Sequence, residues 1–209
     1  MINTTFFYIF IAISLILVWG YFHGRKKNNQ IAHAAINGLI EITKPVDQKI
    51  TNIGGVVGYH VELDFHTENI FSDKKATITL MARHSLLYWP ISKLIRKFDR
   101  FFIRVNLSEQ VCNTEAHIIE KHFYKDKRDG KINSALFKKS YQKENTNFFI
   151  FSKDKSDEQF LEQLVEKIKK EDRLKEVSIY PREKKVEILI VPALENNQAL
   201  LKPIFKMLS

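Results

Sequence analysis

Between Thr4 and His23 the chain runs for twenty residues without a formal charge, rich in Phe, Ile, Leu and Val. A helix of that length rises about 30 Å, the hydrocarbon thickness of a bilayer. Trp19, Tyr21 and His23 gather at its C-terminal end, where amphipathic rings favour the headgroup level. A cleaved signal peptide is the rival reading. Three features oppose it: Met1 to Thr5 holds no Lys or Arg, the apolar run exceeds a signal h-region, and no small-x-small cleavage site precedes Gly24. Residues 1–24 therefore read as an uncleaved transmembrane anchor, carried by Phe6, Phe10, Leu15, Leu17, Trp19 and Tyr21. Nothing basic precedes the span, and Arg25, Lys26 and Lys27 follow it directly. Basic residues are retained on the cytoplasmic side, so the expected topology is single-pass, N-terminus out and domain cytosolic.

Charge in the rest of the chain points toward anionic surfaces. The 33 Lys and Arg exceed the 24 Asp and Glu, a net charge of +9. A basic domain beside an anionic leaflet gains about 1 kcal/mol per well-placed cation. Cys112 is the sole cysteine, which excludes an intrachain disulfide, and no Cys/His cluster has metal-ligand spacing. No metal, cofactor-binding or catalytic residues are expected.

The hydrophobic pattern after the anchor is mixed. Ile31, Ala35, Leu39 and Ile42 share one helical face, so residues 25–45 read as a basic juxtamembrane stalk helix ended by Pro45. Residues 46–209 then read as one soluble domain. Its expected strands lie within 50–65, at 76–81, at 101–107 with clean period-2 alternation, and at 147–151. Ser156 and Gln159 form a capping-box pair ahead of a helix carrying Phe160, Leu161, Leu164, Val165 and Ile168. Val177–Tyr180 and Val186–Val191 bracket Pro181–Lys184 as a hairpin, and a closing helix holds Leu200, Leu201, Ile204, Phe205 and Leu208 around Pro203. Strands and helices do not alternate strictly, so the fold class is α+β with a mainly antiparallel sheet and packed helices.

Motif tests remove several chemistries. Gly54, Gly55 and Gly58 match neither the dinucleotide fingerprint nor a Walker loop, and read as a bend. With Gly130 at the sixth position of a calcium loop, Lys125, Lys127 and Leu136 fall where oxygen ligands are required. Lys121 to Lys143 holds eight Lys or Arg against Asp126 and Asp129, and reads as a mobile basic loop. It has few interleaved aromatics for stacking bases, so nucleic acid is not an expected partner.

The segment with most to say is 78–100. Six apolar residues, Leu86 to Ile91, lead into a helix with Pro90 in its first turn. Ile91, Leu94, Ile95 and Phe98 make one face, and Lys93, Arg96, Lys97 and Arg100 supply positive charge elsewhere. Such a helix either packs in the core with a solvated basic face or forms an interfacial or partner-binding surface. Leu86, Leu87, Tyr88 and Trp89 with those four cations are the candidate interaction surface. Leu87 leans to the core and Trp89 to the surface.

An N-out anchor, a cytosolic α+β domain, a strand entering Met81-Ala-Arg83-His-Ser-Leu86-Leu87 and a basic helix resemble the calumin family, endoplasmic-reticulum coiled-coil-domain proteins of the multipass translocon. Lys185 to Pro192, followed by Ala199-Leu200-Leu201-Lys-Pro203, is similar to that family's late strand and proline-containing helix. The resemblance runs from about Lys44 to Leu208. It does not extend to an acidic segment before the anchor or to a Lys/Glu-rich C-terminal coiled coil, through which the family reaches the ribosome. It implies a minimal relative with a non-enzymatic role near membrane-protein insertion, for which ribosome contact is the one nucleic-acid encounter left open. The expected function is thus a membrane-anchored, non-enzymatic accessory protein whose domain binds a protein partner or the bilayer surface. Two alternatives stay open: an inner-membrane subunit of a bacterial envelope or secretion assembly with a periplasmic domain, and a membrane-tethered enzyme.

Overall fold

The structure, a computed structural model, describes residues 4–65, 71–107, 112–126, 132 and 135–208. Helix α1 (Thr4–Thr43) is unbroken over 40 residues, about 60 Å. Its N-terminal half is long and apolar enough to cross a membrane, and its side chains through Trp19 touch almost nothing in the protein. Ser14, midway along it, donates its hydroxyl to the Phe10 carbonyl at 2.8 Å, so the segment carries no stranded donor at that point. The second half behaves differently. Ile31, Ala32, Ala35, Ile36 and Leu39 are buried in the same core as the sheet, so the segment read as a stalk is a packed layer of the domain.

The sheet has nine strands, all paired antiparallel: β1 (Asp47–Asn52), β2 (Gly58–Asp64), β3 (Phe71–Thr79), β4 (Arg100–Leu107), β5 (Ala116–Glu120), β6 (Phe137–Lys143), β7 (Thr146–Ser152), β8 (Leu174–Tyr180) and β9 (Lys185–Ile190). Their order is β1-β2-β3-β4-β9-β8-β5-β7-β6. The first four strands form a meander, and the last strand in sequence lies in the middle. On one face α1, α4 (Lys155–Lys167) and α5 (Asn197–Leu208) cover the alternate residues Phe101, Ile103 and Val105 of β4 with their counterparts on β8 and β9. Pro203 sits inside α5, where Leu200, Leu201, Ile204, Phe205 and Leu208 are all buried and hold the helix despite the missing amide donor.

Several local expectations change. The 50–65 segment is two strands, because Gly54 to Gly58 close a hairpin in which Gly55 has φ of 62° and Ile53 N–H donates to the Gly58 carbonyl. The glycines therefore join β1 to β2 within the sheet. The strand expected at 76–81 starts and ends earlier, since β3 spans Phe71–Thr79; residues 66–70 lie outside the described residues. α4 begins at Lys155 with Asp154 at the N-cap and no side-chain cap bond, so Ser156 is inside the helix and the capping box does not form.

The 121–143 segment is not one loop. It contains a short helix, α3 (Lys121–Asp126), and edge strand β6; residues 127–131 and 133–134 lie outside the described residues. Lysines on β6 suit an edge, where charge discourages pairing with another chain. β5 shows no alternation in sequence because both its faces are buried: Ala116 and Ile118 face the helices, while His117 and Ile119 face the other side.

Candidate functional site

Helix α2 (Trp89–Arg96) is packed the opposite way from an ordinary core helix. Its one buried residue is Ser92, and its apolar face points outward. Leu87 is 76% exposed, Leu94 80% and Trp89 40%, with Tyr88, Ile91 and Ile95 also exposed. Leu87 is therefore not a core residue. The six side chains form an apolar ledge, and monomeric proteins rarely leave such patches open to water.

The ledge is held from below by a polar knot. Asp99, buried, takes a two-pronged contact from Arg83: Nη1 to Oδ1 at 2.9 Å and Nη2 to Oδ2 at 2.6 Å. The Met81 N–H also donates to Asp99 Oδ1, at 2.8 Å. Arg83 Nη1 further donates to Oδ1 of Asn28, which is wholly buried in the middle of α1. The Asn28 amide in turn donates to the carbonyls of Met81 (2.9 Å) and Val56 (3.1 Å). Ser92 Oγ accepts from the Ala82 N–H, and Arg96 Nη1 donates to the Leu80 carbonyl at 2.9 Å. These bonds explain the inversion. Ser92 and Arg96 face inward because the backbone leaving β3 needs partners, and that turns Ile91, Leu94 and Ile95 outward.

Glycines set the height of the ledge on α1. Gly20 lies against the Leu86 side chain, and Gly24 lies against the Arg83 carbonyl. Tyr21 meets His84 edge-on at 6.0 Å. The ledge thus flanks α1 at the end of its apolar segment, where Trp19 stacks on His23 at 5.2 Å. Of the sequence-expected residues, Leu86, Leu87, Tyr88 and Trp89 come together here with exposed Lys93, Lys97 and Arg100. Arg96 is half-buried and committed to Leu80, and the Arg100 guanidinium lies 5.5 Å from the Phe98 ring. Phe6, Phe10, Leu15, Trp19, Tyr21, Arg25, Lys26 and Lys27 are exposed along α1, and Leu17 is half-buried. Asn28, Ser92 and Asp99 carry the construction and were not anticipated; a polar residue among Ile31, Ala35 and Leu39 on one face of α1 was the available signal.

Other titratable groups serve packing. Lys74 Nζ lies 4.1 Å from the Phe65 ring and 5.0 Å from Phe205, beside a 540 Å³ cleft also lined by Lys44 and Lys202. Burial lowers its ammonium pKa to about 7. Burial, then Asp157, pushes the Cys112 thiol up to about 12, which keeps it unreactive. On the second sheet face, buried His117 pairs through Nε2 with Glu115 at 2.9 Å, and burial followed by Glu187 and Glu176 pushes Tyr180 up to about 12. No group of three metal-ligating side chains occurs among the described residues. No protein-family model matches the chain, and no curated protein matches its sequence.

Proposed function

We propose that the chain is a membrane-tethered, non-enzymatic accessory protein whose α+β domain lies on the cytosolic surface of the bilayer through the ledge. One observation carries this reading: α2 and its lead-in turn an apolar face outward beside the point where the apolar half of α1 ends. With α1 crossing the bilayer, that face meets the interface, where Trp and Tyr rings and aliphatic side chains are stabilised and lysines reach the headgroups. Each aliphatic side chain removed from water there contributes about 1.5–3 kcal/mol. The polar knot makes the ledge rigid, so the bilayer fixes the orientation of the whole sheet relative to the membrane plane. A domain so oriented suits a scaffold beside membrane-protein insertion, the role that the calumin resemblance implies.

The test uses the two tryptophans. In full-length protein carrying Trp19→Phe and reconstituted into bilayers, Trp89 is the sole indole. Lipid-borne quenchers near the glycerol backbone should quench it more strongly than quenchers deep in the acyl chains, and aqueous acrylamide should quench it weakly. Full acrylamide access would overturn the reading. A C-terminal reporter that works only in the cytosol should be active, and activity of a reporter that needs the opposite compartment would reverse the orientation.

A further inference from the structure

The side of α1 opposite the ledge carries a second feature. Phe22, Lys26, Asn29, Gln30 and His33 recur at helical spacing and, with Arg25, line an open cleft of about 950 Å³. Its far wall is Leu194 and Glu195, in the turn between β9 and α5. That wall is built rigidly. Arg173 donates from Nε to the Val191 carbonyl (2.9 Å), from Nη1 to Glu195 O (3.1 Å) and from Nη2 to Asn197 Oδ1 (2.5 Å). Asn197, itself buried, also bonds both the N–H and the carbonyl of Ala193. The turn is thus pinned at three points while Leu194 stays 48% exposed, an apolar side chain held facing the cleft.

We propose that this cleft binds the headgroup of an anionic phospholipid. The inference rests on the reading that α1 spans the bilayer and adds a specific occupant to it. Height supports the assignment. Phe22 belongs to the apolar end of α1, and Lys26 stands about 6 Å farther along the axis, close to the thickness of one headgroup layer. Chemistry supports it too. Arg25 and Lys26 form no ion pair with a described residue, and against Glu195 they leave one net positive charge that a single phosphodiester neutralises. Asn29 and Gln30 supply amide donors above them for phosphate or glycerol oxygens. Phe22 and Leu194 flank the route an acyl chain takes into the leaflet. Basic pockets on the cytoplasmic side of membrane helices recognise anionic headgroups by this combination.

The experiment uses full-length protein reconstituted in phosphatidylcholine doped with phosphatidylglycerol, then re-extracted and weighed by native mass spectrometry. One phosphatidylglycerol should remain bound per chain. Arg25→Gln with Lys26→Gln should lower its retention about tenfold, the scale of losing a charge-assisted contact. Lys169→Gln with Arg182→Gln, an equal loss of charge at exposed positions outside both the cleft and the ledge, should leave retention unchanged. Leu194→Ala, which keeps every charge, should weaken retention as well. Equal losses from both charge pairs would reduce the effect to diffuse attraction and overturn the site. Displacement by excess glycerol phosphate would overturn the lipid assignment in favour of a soluble phosphate ester. Trp89 quenching in the same bilayers, with all variants in the Trp19→Phe background, separates the two readings. Quenching by lipid without retained phosphatidylglycerol sinks the cleft alone, and retained phosphatidylglycerol with Trp89 unquenched by lipid sinks the ledge alone.

Discussion

Gly24 and Arg83 meet backbone to backbone: a methyl group on Gly24 would sit 2.0 Å from the Arg83 carbonyl oxygen. Four residues earlier, a methyl on Gly20 would meet only the Leu86 side chain, at 2.3 Å. Both changes to Ala gain about 1 kcal/mol of helix propensity. They differ in what must yield, because a leucine can rotate away and a backbone carbonyl cannot. Gly24→Ala should therefore destabilise the detergent-solubilised full chain by about 1–3 kcal/mol, an overpacking cost. Gly20→Ala should melt close to the parent. Circular dichroism melts of the two variants, run side by side, check this; equal melting temperatures would mean the close approach does not persist in solution.

The Arg83–Asp99 pair makes a second, sharper prediction. Removing one partner of a buried pair strands the other, at a cost of about 3–5 kcal/mol. Asp99→Ala should fall in that range, because it also strips the Met81 N–H of its acceptor. Arg83→Met combined with Asp99→Leu removes both charges and should cost less than the sum of the single variants. A double-mutant cycle by thermal melting measures the coupling. Limited proteolysis adds location, and new cutting in the Asp99→Ala variant should appear between Leu80 and Arg100.

Lys74 gives the fold a pH dependence. Its pKa is lowered by burial from 10.5 to about 7, so between those values the unfolded chain binds the proton more tightly than the folded one. Stability should then rise with pH across that window, and below about pH 7 the charged, desolvated ammonium weighs fully against the fold. Cys112, whose pKa is raised from 9.0 to about 12, acts in the opposite direction from about pH 9 upward. The clean interval is thus pH 7 to 9. The melting temperature should climb through it, and Lys74→Met should flatten the climb. A parent curve that is flat or falling there contradicts the buried-ammonium account.

How much of this could be read from residues alone depended on the range of the cause. Helix α1, strand β4, the β8–β9 hairpin and the body of α4 follow from periodicity, which is a local signal. β5 hides because a strand buried on both faces has no alternation to detect. The direction of α2 hides for another reason. An amphipathic pattern identifies two faces, but it does not say which one meets the protein. That is decided by Ala82 N–H finding Ser92 and by Leu80 O finding Arg96. The knot beneath it joins Asn28 to Arg83 across 55 residues of sequence, a partnership with no local trace.

The inverted packing of α2 leads to the last prediction, in which the usual rule of core substitution runs backwards. Leu94, 80% exposed, touches little of the fold, so Leu94→Glu should leave the melting temperature within about 0.5 kcal/mol equivalents of the parent. Ser92→Ala, by contrast, makes the helix more apolar and better in propensity, yet it takes the acceptor from a buried Ala82 N–H. Leaving such a donor unsatisfied costs about 1–3 kcal/mol, so the milder-looking change should be the destabilising one. Membrane seating should reverse the order. Leu94→Glu puts a charge on the face that the proposed seating inserts and should expose Trp89 to aqueous acrylamide in reconstituted bilayers. Ser92→Ala, once folded, should keep Trp89 shielded. A Leu94→Glu variant that melts early would return α2 to the core, and one that folds normally with Trp89 still shielded would show that the bilayer does not cover this face.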